Sequence, residues 1–164
     1  MTWSDALEIL RVWEYVGKVR RGYFVKGMSG AQFIRNEDFA YVTQALAAPQ
    51  QDAIWLHATD PACIWGKALN HETNRDFVTI PATAVCLKAG KVAALLERKG
   101  KLLRIFEKDC MEEGLAELVN AFRERRLFPG QKRLVVKEYP AWAGELLKSA
   151  GFIKEMQDYV LYLS

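Results

Sequence analysis

Between residues 18 and 26 the chain places four cations, Lys18, Arg20, Arg21 and Lys26, around two aromatic residues, Tyr23 and Phe24, with no acidic residue among them. Ammonium and guanidinium groups neutralise phosphates and release condensed counterions, and aromatic rings stack on unpaired bases. The combination points to nucleic-acid contact through Lys18, Arg20, Arg21, Tyr23 and Lys26, mainly at phosphates, with the aromatics stacking on bases or packing inward. The bland alternative is a solvated hairpin kept positive for solubility. Directly afterwards, Gly27-Met28-Ser29-Gly30 forms G-x-x-G, a spacing able to clamp a nucleic-acid backbone but read first as a turn, given the preferences of Gly and Ser.

Other chemistry has a weaker footing. No G-x-x-x-x-G-K-[ST] phosphate cradle occurs, and Gly22, Gly27 and Gly30 do not make G-x-G-x-x-G. His57, His71, Cys63, Cys86 and Cys110 show no zinc spacing, so no metal site is expected. A cysteine nucleophile would need Cys63 brought to His57 or His71, against the expectation of buried, inert thiols. Asp60 and Glu138 sit near apolar residues, where a raised pKa would suit acid or base work; the plainer roles are turn residue and strand end. Gln50, Asp52 and Asp60 together would hold a water for base excision, although nothing in their spacing demands it. The cluster of Arg123, Arg125 and Arg126 is explained by a helix C-terminus. Trp55 is expected in the core, and Trp65 beside Gly66 is a possible stacking platform. No residue is assigned a catalytic role.

These side chains need elements to hold them. At 164 residues, 51% hydrophobic and 12% aromatic, the chain suits one domain, or one with a small appendage, and is too apolar for a disordered tail. Its net charge of +3 permits nucleic-acid contact without requiring it. Three widely spaced cysteines suit reduced thiols in an intracellular protein. No apolar run approaches the roughly 18 residues of a membrane span, and residues 1–5 lack the features of a signal peptide, which makes the cytoplasm the expected location.

In chain order, Trp3, Leu7, Leu10, Trp13 and Tyr15 or Val16 recur at three and four residues and predict an amphipathic helix over 3–16, stopped by Gly17. Residues 18–26 alternate, Val19, Arg21, Tyr23 and Val25 against Arg20, Gly22 and Phe24, which predicts a hairpin turning at Arg21-Gly22. A helix followed by a basic hairpin is the back half of a winged helix. A second helix over 37–47 is expected, capped by Asn36 or Asp38 and ended by Pro49. The sequence from Pro49 to Asp52 is the best linker. Beyond it come a strand at 53–57, an Asp-Pro turn at 59–61, an exposed loop at 66–78, and a meander over 82–88, 91–98 and 101–106. A capping box of Asp109 and Glu112 opens a helix over 110–127, followed by a strand at 133–138, a short helix from Pro140 to Ala150 and a strand at 158–163. The fold class is therefore α+β. Residues 1–48 are expected to form a partial winged helix, and residues 53–164 a largely antiparallel sheet with two packed helices.

The run Gly17-x-Val19-Arg20-Arg21-Gly22-x-Phe24-Val25-x-Gly27-x-Ser29-Gly30-x-Gln32-Phe33 resembles the C-terminal region of the large helicase-related (Lhr) family of superfamily 2, DEAD/DEAH-type helicases. Thr59-Asp60-Pro61, the Ala89-Gly90 hairpin and Leu146-Leu147-x-x-x-Gly151-Phe152 extend the resemblance over most of the chain. It implies the end of a winged helix plus the domain after it, an accessory module that grips single-stranded DNA or RNA beside RecA-like motor domains of the same polypeptide. ATP and magnesium would belong to that motor, whose motifs are missing here, so this chain is expected to bind no cofactor and to catalyse nothing alone. The alternatives are a bracing or protein-interaction module, presented through the apolar face of the first helix, and a base-excision enzyme.

Overall fold

The helical periodicity at the start of the chain is realised as α1 (Trp3–Tyr15). In this computed structural model, which describes residues 2–48 and 51–163, the helix opens on a reciprocal capping box. Asp5 accepts the Thr2 amide proton at 2.7 Å, and the Thr2 hydroxyl accepts that of Asp5 at 3.3 Å. Gly17, at φ +74°, ends it, and the Lys18 amide donates back to the Trp13 carbonyl. The chain forms two compact units, residues 1–50 and 51–164.

In the first unit, β1 (Val19–Gly22) pairs antiparallel with β2 (Gln32–Arg35), in register from Val19 opposite Arg35 to Gly22 opposite Gln32. This corrects the expected tight turn at Arg21-Gly22: both residues lie within β1, and residues 23–31 make the reversal. The hairpin is longer because Gln32 supplies the hydrogen bonds that a two-residue turn would make for itself. Its Oε1 accepts from the amides of Phe24 (2.8 Å) and Val25 (2.7 Å), and its Nε2 donates to the carbonyls of Val25 (3.1 Å) and Met28 (3.2 Å). The G-x-x-G is part of this turn, with Gly27 at φ +89° and Gly30 at +88°. A 3-10 turn, Asn36–Asp38, then leads into α2 (Phe39–Ala47). Neither expected cap forms, because both side chains are engaged elsewhere: Asn36 accepts from Arg20, and Asp38 receives Arg35 at 2.6 and 3.1 Å. The expected helix stop at Pro49 falls outside the described residues.

The second unit is α+β, with antiparallel pairing within its sheets. β3 (Ile54–His57), β4 (Ala84–Lys88), β5 (Lys91–Glu97) and β6 (Leu102–Ile105) form a sheet in sequence order, with a bulge between Cys86 and Leu87. The β4–β5 turn places Ala89 and Gly90 at φ +48° and +77°, as a two-residue hairpin requires. β7 (Arg133–Val136), β8 (Ile153–Glu155) and β9 (Asp158–Tyr162) form a second sheet in the order β7-β9-β8. A single parallel bridge, Leu102 to Glu138, ties it to the edge of the first. β8 is unforeseen, since three exposed residues carry no readable alternation.

α3 (Met111–Arg123) buries Met111, Leu115, Leu118, Val119 and Phe122 at helical spacing against this core. It is shorter than the expected 110–127, and its N-terminus has no side-chain cap. Glu113 instead binds outward, accepting the Ala53 amide at 3.0 Å and pairing with Lys88 at 2.5 Å. Trp55, in the core as expected, donates its indole N–H to the Gly114 carbonyl at 2.7 Å. α4 (Gly144–Ser149) follows a 3-10 turn over Ala141–Ala143, rather than starting at Pro140.

The segment 66–78 is also more than an exposed loop. Leu69 and Phe77 are buried, and Phe77 joins a second cluster with Ala58, Cys63, Val85, Val92 and Leu95. Arg75 fastens the segment to the Val92 carbonyl, to Glu107 at 2.6 Å and to Glu72 at 3.3 Å. The outer sides of β4 and β5 are apolar and need a cover, which local polarity concealed. Trp65 packs half-buried against that cluster and is not an open stacking platform.

Candidate nucleic-acid interface

Alternation along β1 sends Val19 and Arg21 to one side and Arg20 to the other, and each arginine meets a different element of the first unit. Arg21 pairs with Glu14 of α1 at 3.4 Å. The Arg20 guanidinium donates to Asn36 and lies 4.4 Å from the centre of the Phe39 ring. Phe24 folds back over Gly22, where a Cβ would come within 2.9 Å of its ring, and meets Phe39 edge-on at 6.4 Å. Of the two aromatics, Phe24 is thus the inward one and Tyr23, 87% exposed, the outward one. Lys18 and Lys26 are exposed and make no side-chain bond to any described residue.

The five predicted residues therefore share one hairpin but differ in readiness. Arg20 is positioned by neutral partners, so no carboxylate among the described residues occupies its guanidinium. Arg21 is held by a partly exposed carboxylate, a pairing worth about 0–1 kcal/mol and so cheaply broken. Lys18 and Lys26 are unencumbered. Sequence reasoning missed the supports, Gln32, Asn36, Phe39 and Glu14. Only Gln32 carried a signal: a residue with two donors and two acceptors directly after a glycine-punctuated turn.

The other nominated residues have structural work. One Asp60 oxygen accepts the Ala62 amide at 2.8 Å, closing the expected turn. Glu138 pairs with Arg98 at 2.8 Å on the surface. Arg126 binds Glu117 and Glu124, and Arg125 donates to the Pro129 carbonyl. The three thiols are buried, and burial pushes Cys63 and Cys110 up and Cys86 up to about 12, which suppresses the thiolate. His57 accepts the Phe128 amide at 3.3 Å, and His71 packs edge-on against Phe77 at 4.5 Å. Among the described residues no three His, Cys, Asp or Glu side chains gather as a metal site would require, and no helix is long and apolar enough to cross a membrane. Gln50 lies outside the described residues.

Comparison with known proteins agrees with the fold. The model of the winged-helix domain of large helicase-related protein matches residues 1–54. The chain is 31% identical over 167 residues to the Lhr helicase/uracil glycosylase of Escherichia coli, covering 91% of the chain and 10% of that protein. It is 32% identical over 129 residues to the Lhr helicase/probable uracil glycosylase of Mycolicibacterium smegmatis, covering 71% of the chain and 9% of that protein. It thus spans about a tenth of the length of these relatives. Carrying both the winged-helix match and similarity that runs on into the α+β unit, this chain belongs to the large helicase-related family, as part of its C-terminal region.

Proposed function

We propose that the chain is an accessory nucleic-acid-binding module of an Lhr-like ATP-dependent DNA helicase and is non-catalytic by itself. The observation that carries this reading is the β1–β2 hairpin, which presents Lys18, Arg20, Arg21 and Lys26 together with an outward Tyr23. The lysines and arginines would hold phosphates of a single strand of DNA or RNA, and Tyr23 would stack on a base. ATP and magnesium would be handled by RecA-like motor domains elsewhere in the polypeptide.

Titration of a labelled single strand at several salt concentrations tests it. Each phosphate contact contributes about 0.7 to the log–log salt slope for single strands, so four cations give a slope near 3. Lys18→Ala with Lys26→Ala should lower it by about 1.4. Arg20→Ala with Arg21→Ala should also lower affinity and slope. If neither pair changes either quantity, the hairpin does not hold the strand.

Two further readings each have an observation behind them. α1 buries none of its residues and leaves Trp3 and Val12 each 61% exposed, which suits a bracing or protein-interaction face. A module of that kind alone shows no strand affinity at low salt. The names of both relatives include uracil glycosylase, which favours base excision. Prolonged incubation with uracil-containing DNA that leaves no abasic product excludes it.

A further inference from the structure

The second unit has a solvent-facing sheet surface that the wing reading does not use. β7 and β9 bury Leu134, Val136, Tyr159 and Leu161 on one face, and β8 lies exposed at the edge. Alternation and register place Arg133 and Val135 on the other, opposite Tyr162 and Val160, and Lys137, just past the end of β7, reaches Asp158. Val135, half-buried, and Val160, only 2% exposed, lie at the bottom of a cleft of about 580 Å³ whose rim carries Lys101, Arg133, Lys137, Glu155 and Asp158. Both acids at this cleft are engaged by the sheet itself: Asp158 by Lys137 at 3.2 Å, and Glu155 by the Tyr162 hydroxyl at 2.6 Å. Lys101 and Arg133 remain without a carboxylate partner among the described residues.

At one end of the cleft, the pair Glu155–Asp158 closes the β8–β9 hairpin on Met156-Gln157. Met156 lines the cleft, is 96% exposed and adopts φ +55°. That conformation is free to glycine and costly to a residue with a Cβ, and here it holds an unbranched apolar side chain out in water. A two-residue hairpin requires the positive φ at this position; what it does not require is an apolar side chain held out in water, and methionine is one of the side chains that wedge between bases.

We propose that this face is a second nucleic-acid surface, with the strand's phosphates along Lys101, Arg133 and Lys137 and Met156 as a wedge against an unstacked base. The rim carries three cations and two carboxylates, and Lys101 and Arg133 are the cations that no carboxylate among the described residues holds, over an apolar floor, which suits a polyanion that also carries flat apolar surfaces. The proposal extends the nucleic-acid reading to the second unit and does not depend on the wing.

Fluorescence anisotropy with a labelled oligothymidylate and the whole chain tests it, alongside thermal unfolding. Met156→Gly relieves the positive φ, so it should melt at the same temperature or higher while binding about five-fold or more weakly. Lys101→Glu with Arg133→Glu should weaken binding and lower the salt slope. Both losses should persist in the Lys18→Ala, Lys26→Ala background, so failure of the wing reading leaves this test intact. Equal affinity of Met156→Gly and wild type would make Met156 merely a poor turn residue and overturn the wedge. An unchanged salt slope in the Lys101, Arg133 variant would remove the strand from this face. Binding of polyglutamate at the cleft without competition from oligonucleotide would assign the face to an acidic protein and also overturn the proposal.

Discussion

Replacing Gln32 with alanine tests whether the wing is pre-organised before it meets a strand. One carboxamide makes four hydrogen bonds to the backbone of residues 24–28, accepting at 2.8 and 2.7 Å and donating at 3.1 and 3.2 Å. A hydrogen bond contributes about 0.5–1.5 kcal/mol net, and at this exposed loop water replaces the lost partner, so the low end applies and the four together give about 2 kcal/mol. Freeing the glutamine side chain returns about 1 kcal/mol of rotamer entropy. The remainder, about 1 kcal/mol, corresponds to about a five-fold shift toward open loop. Hydrogen exchange read amide by amide should therefore accelerate about five-fold at Phe24 and Val25 in Gln32→Ala, with the second unit unchanged. Gln32→Glu keeps the acceptor for both amides but turns a carboxylate toward the carbonyls of Val25 and Met28, and should fall between the two. Strand affinity should drop by the same factor, because Tyr23 and Lys26 then have to be ordered on binding. If exchange at Phe24 and Val25 is the same in Gln32→Ala as in wild type, the carboxamide does not hold the wing and the reasoning fails.

Gly100, at φ +100°, would place a Cβ 2.2 Å from Leu134 Cδ1, so Gly100→Ala should cost about 2–4 kcal/mol in urea unfolding, whereas Gly130→Ala, with nothing within 4 Å, should be nearly neutral. Trp55→Phe removes the buried indole bond to the Gly114 carbonyl, which keeps its helical partner within α3, so the loss on the same measurement is about 0.5–1.5 kcal/mol. The Glu113–Lys88 pair sets a pH window: hydrogen bonds from Lys88 and Ala53 hold the Glu113 carboxyl below the ordinary value of about 4.3, and the bond to Glu113 raises Lys88 above about 10.4. The stabilisation from Glu113 is present above the ordinary carboxylate value and lost as pH falls through its lowered one. That from Lys88 is present below the ordinary ammonium value and lost as pH rises through its raised one. Urea midpoints of wild type minus Glu113→Gln should accordingly be largest near neutrality and shrink toward both extremes.

What the sequence made legible was whatever depended on local periodicity. α1 and the β4–β5–β6 meander declare themselves because apolar spacing and short Gly-containing turns act over a few residues. What it concealed depended on which partner a polar side chain chose. Asn36, Asp38 and Asp109 all have cap chemistry, yet Asn36 takes an arginine from β1, Asp38 one from β2, and α3 opens without Asp109. The same choice moved the hairpin turn, since nothing local announces that Gln32 will reach back eight residues to Phe24. For the wing residues, charge and exposure were readable at once. The inequality among them was not, because it comes from Glu14, Asn36 and Phe39, which lie four or more residues away in sequence.

The two units differ in what holds them, and that bears on how each would meet a strand. In the first, neither α1 nor α2 contains a buried residue, and Val19 is the one apolar side chain among the described residues there that falls below a tenth exposed. Its hairpin is kept in shape by discrete polar devices: the Gln32 carboxamide, the Arg20 stack on Phe39 and the exposed Arg21–Glu14 pair. In the second, Trp55, Leu96, Leu115, Phe122, Leu134 and Leu147 are each at most 1% exposed, so β7 and β9 stand on a packed core. Elements with few buried contacts open at low free-energy cost, and those on a dense core open only near the global limit. On the proposed reading the wing would be the surface that adapts, ordering Tyr23 and Lys26 against an arriving strand at some cost in affinity for each contact. The sheet face, on the reading proposed for it, would be the surface that does not adapt, offering Met156 from the tip of a hairpin whose partner strand β9 stands on the packed core.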